Sequence, residues 1–244
     1  MVSQEYFWGM QPDRDRALHL AKRQVSEFVF DAVNLEGINM TMPEVQTLLD
    51  GVTVGGHALS DQQVALNQIS AWRELFRLVE RDAFELTTEM ACKLHAVAGK
   101  EESLTWGVFR DGSVRIGGTS YLPPPAKELP ALFKEMASRA MEIPDIYDRA
   151  IFVFLEMART QFFHDVNKRM GRFMMNGLLL QAGYPAINLP SKRRLEFHQE
   201  MLLFYESHDH ARMNTFLRSC LDGQTIKIMC EPRQKRPRGN GPGM

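Results

Sequence analysis

The residues best equipped for chemistry lie in TQFFHDVNKRMGRFMMN, residues 160–176. An apolar run breaks at a polar loop, His164-Asp165-Val166-Asn167-Lys168, and restarts as a helix carrying Arg169 and Arg172. A helix that begins near Lys168 leaves its first backbone N–H groups unpaired, at the positive end of its dipole. An anion seated there is stabilised by both effects. Arg169 and Arg172 are three apart, share a face, and can each grip phosphate oxygens in bidentate fashion. Asp165 can hold a Mg²⁺ ion that bridges phosphates, and Asn167 can donate its amide to another oxygen. Together these residues form a cradle for a triphosphate with magnesium. The same residues also read as a loop of solvated charges between two helices. Cations at a helix start oppose the dipole by a few tenths of a kcal/mol each, which hints at a bound anion.

Most of the surrounding sequence reads as helix. Apolar residues recur at helical spacing from Arg16 to Leu35, with Gly37 as a stop. Thr41 with Glu44 reads as a capping box, as does Ser60 with Gln63, the latter with a Leu59–Val64 staple. Further helices are expected from Val64 through Phe76, from near Thr87 to Gly99, over Leu129–Met141 and over Ile146–Phe163. They continue over Arg169–Gln181, around Arg193–Glu206 and over Ala211–Leu221. One segment differs. WGVFRDGSVRIGG, residues 106–118, alternates apolar and polar about Asp111-Gly112, a strong hairpin signal. Pro123-Pro124-Pro125 follows and cannot be helix interior. The expected architecture is therefore mainly α with one projecting β-hairpin.

Residues 161–172 resemble the motif of the Fic (Fic/Doc) family, H-P-F-x-[D/E]-G-N-[G/K]-R-x-x-R. Phe163, Asp165, Asn167, Lys168, Arg169 and Arg172 match, whereas Gln161, Phe162 and Val166 depart from it. GVFRDGSVRIGGTSYLPPPAKELPALF resembles the family's flap hairpin and the proline-rich segment after it. LLLQAGYPAINLP resembles the segment that follows the motif helix, and NLEGINMTMPEVQTLLDG resembles an N-terminal extension of one Fic class. The resemblance covers roughly residues 28–220. It implies a Fic-type helical bundle with a flap. It divides the chain into an N-terminal helical extension with an inhibitory helix (1–85) and a Fic core (86–222), while the basic, Pro- and Gly-rich end reads by its composition as a disordered tail (223–244).

The resemblance also implies an activity: transfer of AMP from ATP, with Mg²⁺, to a Ser, Thr or Tyr hydroxyl of a target protein. On this reading Asp165 holds the metal, and Asn167, Lys168, Arg169 and Arg172 bind the nucleotide's phosphates. A flap including Val114, Ile116 and Tyr121 aligns the target as an extended peptide by strand addition. The family's histidine base is replaced by Gln161, and a carboxamide accepts no proton near neutral pH. General-base catalysis contributes roughly 10²- to 10⁴-fold, so transfer by the usual route is impaired. His164, three residues on, is a weak substitute whose other reading is a surface or packing histidine. Lys168 matches the motif variant that in the Doc branch accompanies phosphate transfer, but that branch usually lacks the second arginine present here. Val166 stands where the family has a small residue, and a β-branched residue at positive φ is strained.

The family's inhibitory signature, [S/T]-x-x-x-E-[G/N], is matched at Glu36-Gly37, with Ala32 where the hydroxyl residue belongs. Glu36 would pair with Arg172 and displace the terminal phosphate. Two functions follow: an impaired AMP transferase, or a non-catalytic module that binds nucleotide or peptide.

Composition narrows the remaining classes. The 244 residues are 44% hydrophobic with a net charge of -1, and the mean hydropathy is -0.27. Such balance gives no general attraction to nucleic acid or an anionic membrane. Cys92, Cys220 and Cys230 have neither metal-site nor disulfide spacing, which fits a reducing cytoplasm. No secretory leader pattern or membrane-length apolar run is read.

Overall fold

The structure is a computed structural model that describes residues 8–232. Helix α7 (Ile146–Thr160) and helix α8 (Asn167–Gln181) form the central pair. α7 is buried almost all round, through Tyr147, Ala150–Leu155, Met157 and Ala158. The two helices approach closely because Gly171 has no side chain; a Cβ there would lie 2.8 Å from the Phe154 carbonyl oxygen. α6 (Leu129–Glu142) and α10 (His210–Arg218) pack on α7. α1 (Arg14–Arg23), α4 (Leu59–Glu80) and α5 (Thr88–Ala98) pack on α8. α2 (Val25–Leu35) and α3 (Met42–Leu49) lie against α4, and α9 (Arg194–Ser207) leads into α10. One apolar core runs through all of these, from Met10 to Met229. The N-terminal helices thus share that core rather than forming a separate body. Among the described residues no helix is long and apolar enough to cross a membrane.

Local chemistry explains the helix ends. Thr41 and Glu44 form the expected capping box, Thr87 caps α5 through its hydroxyl, and Gly99 ends it. The helical pattern expected from Arg16 to Leu35 is broken at Gln24 into α1 and α2. Ser60 is not a cap: α4 begins one residue earlier, after Ala58, and Leu59 is 84% exposed, so its staple does not form. After Glu36 the chain reverses at Gly37 (φ +90), with Ile38 N–H donating to Val33 O at 3.1 Å and Gly37 N–H to Asn34 O at 3.1 Å. This is a Schellman closure, and it fixes Glu36 as the last residue of the helical spiral. Asp31, buried on the same helix, accepts from Asn188 Nδ2 (2.5 Å) and Ser191 N–H (2.7 Å), which anchors α2 to the segment after α8.

Two expectations are corrected. The tail expected from residue 223 begins with a folded helix, α11 (Gly223–Cys230). It is capped by Asp222 and tied to α1 by Arg16, whose Nη1 donates to Ile228 O at 2.9 Å. The rest of the basic tail, from residue 233, lies outside the described residues.

The second correction concerns the β-hairpin flap: no strand occurs among the described residues. The backbone of its first arm is bonded elsewhere. Arg110 N–H donates to Phe162 O (2.9 Å), and Gly107 N–H donates to His95 Nδ1 (3.1 Å). The buried Arg110 guanidinium also donates to the carbonyls of Gln161, Gly112 and Pro124, each at 2.6 Å. These bonds fasten the segment to α5 and to the end of α7. Trp106, Val108 and Asp111 are exposed, Phe109 half-buried and Arg110 buried, and the chain bends at Gly107 (φ 78), so the alternation read in the sequence does not continue through the segment.

Candidate functional site

The loop between α7 and α8 is shaped by two non-glycine residues in the left-handed region. Gln161 (φ 54) ends α7 and Val166 (φ 66) starts α8. For a β-branched residue this conformation is an outlier that costs on the order of 1–3 kcal/mol. Val166 tolerates it because its side chain is 3% exposed and packs in the core. The turn a glycine would make is therefore kept, with the valine directed into the core. Phe162 and Phe163 are fully buried, and Phe163 stacks on His95 with ring centres 3.8 Å apart. Burial pushes His95 down to about 4, which keeps its ring neutral near pH 7.

Asn167 braces this loop from within. Its Oδ1 accepts from Phe163 N–H (2.9 Å), and its Nδ2 donates to Phe163 O (2.8 Å) and Gln161 Oε1 (3.0 Å). Both amide hydrogens are thus engaged within the loop. Gln161 Nε2 donates to Ala158 O at 2.5 Å. His164 is turned toward the flap segment, with Nε2 3.0 Å from Asp111 Oδ1.

At the start of α8 no side chain caps the helix, and three cations gather there. Arg169 is 6% exposed and lies between two carboxylates, Glu102 (Nη2–Oε2 2.7 Å) and Glu36 (Nε–Oε1 3.7 Å). Arg172 Nη2 is 3.5 Å from the same Glu36 oxygen. Neither Glu36 contact is a hydrogen bond, so the carboxylate sits among the guanidinium groups as a loose counter-ion. Burial alone would raise its pKa, but Arg169, Lys168, Arg172 and His198 together hold it below the usual carboxylate range. Burial pushes Arg172 down to about 10 against the pull of Glu36. Two buried donors, Arg169 Nη1 and Arg172 Nε, have no acceptor. A cavity of about 20 Å³ beside them is lined by Ala32, Gln68, Arg169 and Arg172, and Gln68 Nε2 is a third buried donor without a partner.

A larger pocket of about 360 Å³ opens alongside. Its walls are Ile116 and Gly117 of the flap segment, Gln161, Lys168, and four α9 residues, His198, Met201, Leu202 and Tyr205. Of the expected flap residues, Ile116 reaches this pocket. Val114 is half-buried on the same segment, and Tyr121 lies under Arg159, whose guanidinium carbon is 3.8 Å from the ring centre. Asp165 is exposed at the loop, its Oδ1 accepting from Val166 N–H at 2.6 Å.

An uncapped helix start and unpartnered guanidinium donors fit a polyphosphate, whose oxygens are the acceptors this set lacks. An exposed carboxylate beside that start fits a magnesium ion accompanying it. The fold thus brings together Glu36, Arg169 and Arg172, and sets Gln161 and Lys168 in one pocket. It turns His164 away and keeps Asn167 internal. Sequence reasoning missed Glu102, which looks like a solvated charge in GKEES and becomes a site residue only through Asn67, whose Nδ2 holds it at 2.7 Å. His198 and the anchor Arg110 were missed too, since their partners lie far along the chain.

Residues 85–179 match the family model described as Fic/DOC family. The chain is 26% identical over 203 residues to a protein adenylyltransferase Fic of Drosophila erecta, covering 80% of this chain and 40% of that protein. A Drosophila persimilis protein of the same name matches at 26% over 198 residues. The chain therefore spans about 40% of the length of these relatives. Among solved structures, a Fic domain containing signaling protein from Bacteroides thetaiotaomicron superimposes with a TM-score of 0.73 at 17% identity, covering 92% of both chains. Fic-1 from C. elegans gives 0.70 at 16% identity, over 88% of this chain and 70% of that one. Matched sequence and shared helical fold meet on the loop between α7 and α8, and on that ground residues 85–179 of this chain carry a Fic-type domain.

Proposed function

We propose that the α7–α8 loop receives the phosphates of a nucleoside triphosphate, ATP by analogy with the named relatives, and that Glu36 holds the site in a restrained state. The single observation that carries this reading is the pair of buried, acceptorless donors on Arg169 and Arg172 beside a loosely held carboxylate. Lys168, Arg169, Arg172 and the first amides of α8 would hold phosphate oxygens, and Asp165 would hold Mg²⁺. Bound Mg²⁺ would neutralise phosphate charge and polarise the bond to the leaving pyrophosphate. Glu36 competes because its charge occupies the place of a phosphate oxygen.

The reaction supported is weak AMP transfer to a protein hydroxyl. Gln161 cannot take the hydroxyl proton, and both ends of its amide are engaged. The imidazole that does line the pocket is His198. Burial, then Lys168 and Arg194, lower its pKa against Glu36, which favours the neutral ring that can accept a proton. Orientation and charge stabilisation remain available without a strong base.

A second reading, a peptide-binding module without chemistry, is favoured by one observation. The segment 106–118 exposes the apolar side chains of Trp106 and Val108, a surface that a bound peptide could cover.

Calorimetric titration of Mg-ATP into the wild type and Glu36→Gly tests the first reading. Release of the carboxylate is expected to tighten binding about tenfold or more, the effect of one charge-assisted contact. Equal affinity in the two proteins overturns the role of Glu36. Absence of binding in both leaves the peptide module.

A further inference from the structure

A different cluster sits where α7 meets the corner between α9 and α10. Glu156 Oε1 accepts from His208 Nε2 at 2.6 Å and from His210 Nε2 at 2.8 Å. One ligating atom from each residue lies within 4.8 Å of the others. The backbone is bent to make this meeting. His208 caps α9 in the left-handed region (φ 57), a conformation uncommon for a non-glycine residue. Asp209, between the two histidines, turns away and caps α10 by accepting from Ala211 N–H at 2.9 Å. The rings are held in place. His210 stacks on Phe152 (5.4 Å) and meets Phe204 edge-on (5.2 Å), and His208 packs against Phe204 (5.7 Å). Glu156 is largely buried, while the two imidazole side chains are 37% and 30% exposed, leaving an approach from solvent.

We propose that Glu156, His208 and His210 bind a divalent transition-metal ion of the zinc class. Two imidazole nitrogens and one carboxylate oxygen are a common donor set for such ions, with a position left for water. Magnesium prefers oxygen donors and is a poor match. Metal binding at each Nε2 requires the neutral imidazole to carry its proton on Nδ1 instead, a change of tautomer. Metal bonds of about 2.0–2.1 Å require the three atoms to part by roughly half an ångström, within reach of side-chain movement.

The site lies outside the phosphate cradle but shares its walls. Tyr205, one turn before His208, lines the large pocket and accepts from Arg159 Nε at 3.3 Å. Glu206 accepts from Ser120 N–H at 2.9 Å and so holds the end of the flap segment. A metal at the corner clamps α7 to the element that carries both residues.

The test uses the full chain, stripped with chelator and titrated with Co²⁺ as a visible-absorbing substitute for zinc. Wild type is expected to develop d–d bands saturating at one equivalent, and zinc is expected to raise its Tm by several degrees at about 100 times Kd. The double variant His208→Gln, His210→Gln is expected to lose both responses, and Glu156→Gln to weaken them. Asp165→Asn, which alters only the expected magnesium residue, is expected to keep them. Should a variant fold poorly by circular dichroism, single His210→Gln supplies the same comparison. No bands in wild type, bands that survive the histidine changes, or a sulfur-to-cobalt charge-transfer band that assigns the metal to cysteine would each overturn the proposal.

Discussion

Two glutamates at the edges of the α7–α8 unit are surrounded in opposite ways. Glu36 faces guanidinium groups at 3.5 and 3.7 Å, and two of their donors remain unmatched. Glu156 receives short hydrogen bonds from two imidazoles on a single oxygen. The first neighbourhood has surplus donors, so it asks for an anion. The second gathers two imidazole nitrogens and a carboxylate oxygen, each with a lone pair to give, so it asks for a cation. Both carboxylates titrate low, and in both burial opposes the shift; partner charges drive it at Glu36 and imidazole hydrogen bonds lead it at Glu156. A lowered pKa alone therefore does not reveal what a site binds, whereas the balance of donors and acceptors does.

The largest expected effect tests whether the anion side is a reaction site. Adding Gln161→His to Glu36→Gly is expected to raise label transfer from α-labelled ATP to protein by about 10²- to 10⁴-fold over Glu36→Gly alone. No gain would reduce the cradle to a binding site. Next, Arg172→Ala is expected to weaken ATP binding about 10- to 100-fold, the worth of a charge-assisted contact. Glu156→Gln should leave that affinity unchanged, and a matching loss would break the separation of the two regions.

A smaller effect concerns acid. The folded pKa of Glu36 is lowered, so its contribution to stability is complete above the unfolded carboxylate value of about 4.3 and is lost as pH falls through the lower folded value. The Tm gap between wild type and Glu36→Gln should stay constant from pH 7 to 5 and close below about pH 4. A gap already closing near pH 6 would point to another group. The smallest expected effect is that of Ala32→Ser, which places a hydroxyl at the 20 Å³ cavity lined by Gln68 and Arg172. A donor satisfied there adds up to about 1 kcal/mol, or a rise of about 2–4 °C in Tm. A fall would mean that the cavity cannot admit the oxygen.

The legible parts of this molecule are those whose cause is local. Thr41 with Glu44, Thr87 and Gly99 mark helix ends by short-range hydrogen bonds, and apolar spacing locates the α7 and α8 helices. That Lys168, Arg169 and Arg172 gather at the start of α8 could be read because they are neighbours in sequence. Glu36 could be placed only through the family signature. The hairpin was misread because alternation predicts an extended chain, whereas this one bends at Gly107 and is held by Arg110, whose acceptor Gln161 is 51 residues away. Glu102 and the Glu156 cluster were illegible for the same reason. His208 and His210 stand two apart in plain view, but their carboxylate comes from another helix.

Arg110 has a mechanical consequence. One guanidinium holds the carbonyls of Gly112, Pro124 and Gln161, the residue that caps α7, at the same time. A tug on the surface segment is therefore transmitted to Gln161 without any intervening hinge. A polypeptide that seized the segment would pull directly on the wall of the 360 Å³ pocket, and a filled pocket would stiffen the grip offered to that polypeptide.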